Sequence, residues 1–392
     1  MPITLHKHIM KKFAFILSTL LLSIVANAQT IVDVTQVGAE KMLVSVNVTG
    51  SEAFKKSLMR NLMLSGAFKV VNSGASIAVS GQAGGNVVVE GRGKKLTLPS
   101  SAANDKVARQ EARKLSDRIC ETYAKQKGFA STRIAFVNKK GRSEELCIGY
   151  PDGADIRQIT SDGTACVGPR WKSSDVIFYT GYVNGAPQIF EIDADSCVRK
   201  LKWGFGGLTA GATVSPDGST AAIILSKPFG NPELCTINIA AGTWKRMTTT
   251  RLANEGQPAW SPDGRSIVYV SDETRRLHLY VIDSATRKSR RITSSGSQNI
   301  DPDWGPDGRV AYITKRSGKT YVAVLDPAEG DKAARLVTEA GNWEHPSWAR
   351  DMRHLIAERD GVLYLIDTME NGDAPVKLFS IPGKMITPSL SR

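Results

Sequence analysis

After Thr132 the chain alternates apolar and polar residues with a period of two, in short runs cut by Gly, Pro and Asp. Ile267-Val-Tyr269-Val-Ser271, Leu279-Tyr-Val-Ile-Asp283 and Ser289-Arg-Arg-Ile-Thr293 follow one another in this way. β-branched and aromatic residues in that rhythm predict strands. The runs recur as a unit. Its clearest copies open with Pro258-Ala-Trp260-Ser-Pro-Asp-Gly264, Pro302-Asp-Trp304-Gly-Pro-Asp-Gly308 and Pro346-Ser-Trp348-Ala-Arg-Asp. Weaker copies are Pro169-Arg-Trp171, Ala212-Thr-Val214-Ser-Pro-Asp-Gly218 and Pro388-Ser-Leu390. The positions 171, 214, 260, 304, 348 and 390 lie 43, 46, 44, 44 and 42 residues apart. Four strand-like runs in each unit of that length predict propeller blades. In the turn after each Trp, Pro presets φ, Asp suits the second corner and Gly accepts a positive φ. The repeat Trp residues 171, 260, 304 and 348 are expected in the core.

The register of the repeat predicts how the ring closes. The first copy, 132–160, starts at Thr132-Arg-Ile-Ala-Phe136 with no Pro-x-Trp before it, and the last ends at Ile386-Thr-Pro-Ser-Leu390. Each supplies what the other lacks. Residues 386–390 are therefore expected as the innermost strand of the first blade, which removes the exposed edges of an open ring.

Residues 29–131 lack the repeat. Met42-Leu-Val-Ser-Val-Asn-Val48 alternates as a strand. Ser51 then caps a helix with Phe54, Leu58 and Leu62 on one face, stopped by Gly66. Strand-like runs follow at 67–71, 76–81, 86–91 and 94–98, with Gly84-Gly85 as a hairpin turn. Asn104 caps a second helix expected over 105–126, with Ala108, Ala112, Leu115, Ile119 and Tyr123 on one face and Gly128 as its stop. The expected fold is thus a small α+β N-terminal domain, 29–128, followed by an all-β six-bladed propeller, 132–392, closed by a C-terminal strand.

Composition changes the picture at three points. Lys7, Lys11 and Lys12 precede an apolar run from Phe13 to Val25 and then Ala26-Asn-Ala28, which predicts a secretory signal peptide cleaved between Ala28 and Gln29. The run of 13 residues is short of the roughly 20 that span a bilayer. The expected location is the periplasm. Formal net charge is +13, and loss of the three signal Lys would leave +10. Arg275-Arg276, Arg287-Lys288 and Arg290-Arg291 carry much of that excess, which suits anionic envelope surfaces or acidic proteins, or is a solvated face. Outside the cytoplasm nucleic acid is not an expected partner. The five Cys are 120, 147, 166, 197 and 235. Cys147 and Cys235 fall in an apolar repeat column, Cys166 in a loop leading to an inner strand and Cys197 in a turn on the opposite face, so no disulfide is expected.

Two segments carry a family resemblance. Phe54-Lys-Lys-Ser-Leu-Met-Arg-Asn-Leu-Met-Leu-Ser-Gly66-Ala-Phe68, and Ala112 to Tyr123 followed by Lys127-Gly-Phe129-Ala-Ser-Thr132-Arg-Ile-Ala-Phe136-Val137, resemble the TolB family of the Tol–Pal envelope system. The resemblance implies a monomeric, non-enzymatic periplasmic scaffold without a cofactor. It also implies that the propeller binds the peptidoglycan-associated lipoprotein Pal, that the mature N-terminus contacts a TolA-like protein, and that the membrane is engaged only indirectly. Two departures stand out: the stretch 82–104 is compressed, and Gln29-Thr-Ile-Val-Asp33 lacks the family's Pro-Phe-x-Trp pattern.

The candidate binding residues lie in the loops leading into Pro-x-Trp: Asn254, Glu255 and Gln257; Gln298, Asn299 and Asp301; Asn342, Trp343, Glu344 and His345. These loops are polar and differ from blade to blade, and loops on a rigid scaffold carry function. Trp343 is either an anchor for a partner or packing on its own blades. Two other readings stay open. One is an exported propeller that binds a glycan or an unrelated protein. The other is a propeller hydrolase or lyase. A hydrolase of the prolyl-oligopeptidase kind needs Gly-x-Ser-x-Gly, which does not occur. A metal-dependent lyase needs clustered His and carboxylates, whereas His278, His345 and His354 occupy different repeat positions. Asp283, Asp326 and Asp367 recur once per blade, as turn caps would.

Overall fold

The computed structural model describes residues 40–183, 185–369 and 372–391, which fall in one compact unit. The expected signal peptide and its Ala28–Gln29 cleavage lie outside the described residues. Strand β1, Met42–Thr49, leads into helix α1, Glu52–Leu64. Ser51 caps that helix with its hydroxyl 3.2 Å from the Phe54 N–H. Strands β2, Phe68–Val70, β3, Ile77–Gln82, β4, Asn86–Gly91, and β5, Lys94–Pro99, join β1 in one sheet of order β2-β1-β3-β4-β5. Helix α2, Asp105–Ile119, is capped by Asn104. Phe54, Leu58, Leu62, Ala108, Ala112 and Ile119 are buried on the sheet together, so the apolar stripes of both helices form one core.

The second helix ends earlier than its pattern suggests. After Ile119 the backbone widens into a π-turn over Cys120–Ala124, and Lys125 takes a left-handed φ of 58°. Gly128 is therefore not the stop. A Cβ there would lie 2.3 Å from the Asp117 Cα, so glycine is required by the close approach of two backbone segments.

Six four-stranded sheets follow, one per blade. In the first blade β6, Ile134–Lys140, pairs with β7, Ser143–Gly149, and then β8, Arg157–Gln158. The C-terminal strand Lys384–Leu390 pairs antiparallel with β6, Ile386 opposite Val137 and Leu390 opposite Ile134. The ring closes as the register requires. Trp260, Trp304 and Trp348 are buried, while Trp171 is only half-buried. The indole N–H of Trp171 reaches the Ser389 carbonyl at 3.0 Å, and that of Trp260 reaches the Thr213 carbonyl at 3.2 Å. Each thus ties its blade to the preceding one. The recurrent Asp residues act as turn caps: Asp283 Oδ1 accepts from the backbone of Ala285 and Thr286, and Asp193 does the same for Asp195 and Ser196. All five cysteines are free thiols. Cys197 sits in an exposed turn, but Cys166 is not in a loop: it begins an inner strand and is buried.

Because neighbouring strands are antiparallel, the turns after the first and third strands share one end of the ring. The α+β part is fastened to that end by charge. Arg113, 1% exposed, bonds both oxygens of Asp152 at 2.9 and 3.0 Å and Asp155 at 2.8 Å. Its guanidinium lies 3.7 Å from the centre of the Tyr150 ring. Ser57 and Asn61 of α1 add hydrogen bonds to Asp152 at 2.7 and 3.2 Å. On the sixth blade Arg350 reaches Asp117 at 2.6 Å and the Gly128 carbonyl at 2.7 Å. Leu64 and Phe129 pack into the apolar seam between the sixth and first blades.

Candidate docking site at the propeller mouth

The other end of the ring is formed by the hairpins after each second strand and by the loops into each first strand. Every innermost strand carries a register shift there. The bulged residues are Gly168, Gly211, Gln257, Asp301, His345 and Thr387, with φ of 58, 69, 51, 52, 50 and 48°. A bulge re-aims one side chain, and here it lets successive blades bond around the axis. The Gln257 amide oxygen accepts from the Asp301 N–H at 2.9 Å, and its nitrogen donates to the Asp301 carboxylate. The second Asp301 oxygen accepts from the His345 N–H at 3.1 Å. Blades four, five and six are thereby chained through polar side chains.

The His345 ring lies among three carboxylates. Its Nε2 is 3.8 Å from Asp301, and its Nδ1 is 3.9 Å from Glu344 and 3.7 Å from Glu358. None of these is a hydrogen bond. Burial opposes charge on the imidazole, but Asp301, Glu358 and Glu344 outweigh it and hold the pKa above its ordinary value. Burial, and then repulsion from Glu358, raise the Glu344 pKa. Glu358 is 5% exposed. One of its oxygens accepts from the Gly361 N–H at 2.8 Å, while the other, Oε2, has no hydrogen-bond partner among the described residues. Ligand atoms of Glu344, His345 and Glu358 lie within 4.8 Å of one another, and a metal ion could be held there. The different repeat positions of His278, His345 and His354 did not foretell the carboxylates round His345, because Glu358 comes from the adjacent strand and not from the same loop. His278 and His354 are internal: His278 Nδ1 is 3.0 Å from the Asn299 amide, and His354 Nδ1 is 2.5 Å from Asp351.

Glu344 and Glu358 open into a cleft of about 830 Å³ lined also by Asn342, Asp360, Lys140 and Lys384. Asn342 donates to Asp360 at 2.9 Å. Asp360-Gly361, with φ of 55 and 82°, turns the hairpin. The Lys384 stem lies over Gly361, where a Cβ would come within 2.7 Å of its Cγ.

The ten candidate residues divide into two groups. Asn254, Gln257, Asn342 and Glu344 are exposed, and Gln298 and His345 half-buried. The other four, Glu255, Asn299, Asp301 and Trp343, are buried. Trp343 is fully covered, T-shaped on Tyr364, with its indole N–H 3.0 Å from the Glu339 carbonyl. It is core and not an open anchor, since the inner strand turns its ring between blades five and six. Asn254 and Asn342 brace hairpins through Asp272 and Asp360. The loops alone did not point to Glu358, Asp360, Lys140 and Lys384, which belong to hairpins and to the closing strand.

Fold and mouth define a closed six-bladed propeller with an α+β part fastened at one end and a charged cleft at the other. The chain belongs to the TolB beta propeller domain family, which it matches over residues 120–392. Curated relatives named Tol-Pal system protein TolB, from Francisella tularensis subsp. tularensis and subsp. holarctica, are each 26% identical over 231 residues, 55% of this chain. The chain spans about half the length of these relatives, 52%. The crystal structure of TolB from Acinetobacter baumannii superposes with a TM-score of 0.80 at 21% identity, covering 91% of this chain and 98% of that one.

Proposed function

We propose that the chain is a non-enzymatic scaffold of the Tol–Pal envelope system, exported to the periplasm. It receives a Pal-like peptidoglycan-associated lipoprotein at the propeller mouth and so supports outer-membrane integrity. A TolA-like protein engages the mature N-terminus from Gln29 onward. The observation that carries this reading is the charged cleft at Glu344, Glu358 and Asp360, at the end of the ring away from the α+β part. It occurs in a chain whose curated relatives are named Tol-Pal system proteins. At the α+β joint Arg113 answers Asp152 and Asp155, whereas at the mouth Glu358 Oε2 has no hydrogen-bond partner among the described residues. A binding role is also favoured by the recurrent Asp residues, which cap turns instead of facing the cleft.

Calorimetry with the soluble domain of a Pal-like lipoprotein tests this. The variant Gln298→Ala/Asn342→Ala/Glu344→Arg is expected to bind at least about tenfold more weakly than the parent, a loss of about 1.4 kcal/mol. Equal affinity of the two proteins would remove the mouth from the account.

A further inference from the structure

The repeat supplies an internal standard for the mouth. In each blade the residue before the bulge faces one residue of the second strand. In blades one to five these pairs are Ile386 with Val137, Val167 with Thr180, Ala210 with Ile224, Gly256 with Val270 and Ile300 with Ile313. All are uncharged and most are apolar. In blade six the same pair is Glu344 with Glu358. Like charges placed directly opposite each other on antiparallel strands repel, and one of these two is 5% exposed. The fold accepts an uncharged pair at this position five times, so the two carboxylates are not needed to build a blade.

The site is also short of donors. Other buried carboxylates are answered by the chain itself: Glu233 by Arg246 at 2.6 Å, Glu145 by the Gly163 N–H at 2.7 Å, Asp152 by Arg113 at 2.9 Å. Among the described residues Glu358 Oε2 has no hydrogen-bond partner, and neither does the hydroxyl of Thr387, the next bulge residue round the ring; the His345 ring, drawn toward its charged form, approaches Glu358 only to 3.7 Å. A group with several N–H donors and a positive charge would satisfy these acceptors. On the rim, Lys140 and Lys384 form no ion pair among the described residues, while Lys139 is held by Glu144. These free lysines disfavour a bare cation and suit a segment in which a basic residue is accompanied by an acidic one.

We propose that Glu344 and Glu358 form the seat for an arginine or lysine side chain on the docking partner, with Lys140 and Lys384 receiving an acidic residue of the same segment. This rests on the mouth being the partner site and states what the partner must present there. The seat is separate from the stability of the blade, so the two can be pulled apart by putting the blade-five pair into blade six.

The test is thermal unfolding of the full chain with the blocked peptide acetyl-Arg-Gly-Glu-amide, with acetyl-Gln-Gly-Glu-amide as control, both in chelator, and a separate chelator-free arm with calcium or zinc ions and no peptide. Glu344→Ile/Glu358→Ile is expected to raise the Tm without peptide, because the repulsion is gone. The Arg peptide is expected to raise the Tm of the parent at millimolar concentration, at least threefold more than the Gln peptide, and to leave the variant unmoved. Equal shifts by the two peptides, or an equal shift in parent and variant, overturn the proposal. So does a parent that is stabilised by calcium or zinc ions while ignoring the Arg peptide, since the seat is then a metal site. A variant that is less stable than the parent overturns the repulsion argument. Failure here is distinguishable from failure of the function: the lipoprotein can still bind the mouth of the Ile variant, and the peptide can still bind a parent that ignores the lipoprotein.

Discussion

The two ends of the ring treat buried charge in opposite ways. At the end that carries the α+β part, Arg113 is 1% exposed, meets Asp152 and Asp155 and leaves only its Nη1 without an acceptor. At the mouth, Glu358 is nearly as buried but faces Glu344 and a His345 ring at 3.7 Å, with one oxygen unanswered. A buried charge that is paired and hydrogen-bonded is a fixed joint, whereas an unanswered one is costly and calls for a partner from outside. One end is a fixed joint, and the other carries the proposed docking site.

The joint is the place to expect the largest effect. Arg113→Ala leaves Asp152 buried without its counter-charge, held only by neutral donors such as Ser57 and Asn61. It should lower the free energy of unfolding by about 3–5 kcal/mol, read from urea titrations, with no change in lipoprotein affinity. A loss below about 1 kcal/mol would mean that the two ends do not differ as described. Trp343→Ala comes next, at about 3–5 kcal/mol for a buried aromatic. Its loss should appear in unfolding curves, whereas an open anchor would lose affinity at unchanged stability.

A smaller, pH-dependent effect is expected at Glu255, beside the mouth. A single Thr250 hydroxyl lies 3.1–3.3 Å from oxygens of both Glu233 and Glu255 and can donate to only one of them. Burial, and then the Glu233 carboxylate, push the Glu255 pKa up to about 7. The folded chain therefore holds an extra proton between pH 4.5, the value for a free carboxyl, and 7. Stability from this group is complete below that window and falls as pH rises through it. Glu255→Gln should flatten the fall, leaving the variant on the order of 2–3 kcal/mol more stable than the parent at pH 8 and equal to it near pH 4. Parallel pH profiles would show that Glu255 ionises normally.

The sequence made the joint and the mouth legible to different degrees. The ring, its six blades and the closure by 386–390 follow from periodicity, because a strand's partners are set by the repeat register. The mouth was only partly visible. Gln257, Asp301 and His345 stood out in the loops, but Glu358 lies inside an alternating run, His354-Leu-Ile-Ala-Glu358, that reads as an ordinary strand. Its signal is a comparison down the repeat column, where Thr180, Ile224, Val270, Ile313 and Val137 stand in its place. The sequence left Trp343 open between anchor and packing, since one bulge decides which way an inner strand turns its side chains. The early end of the second helix was hidden for a similar reason: Gly128 looks like a stop, but its lack of a side chain serves contact with Asp117.

Amide hydrogen exchange over the full chain, with and without the soluble domain of a Pal-like lipoprotein, tests the central claim most directly. The account predicts new protection at 139–141, 342–345, 358–361 and 383–386, and unchanged exchange at 150–155 and 350–353. Protection confined to 150–155 and 350–353, or absent everywhere, would contradict it.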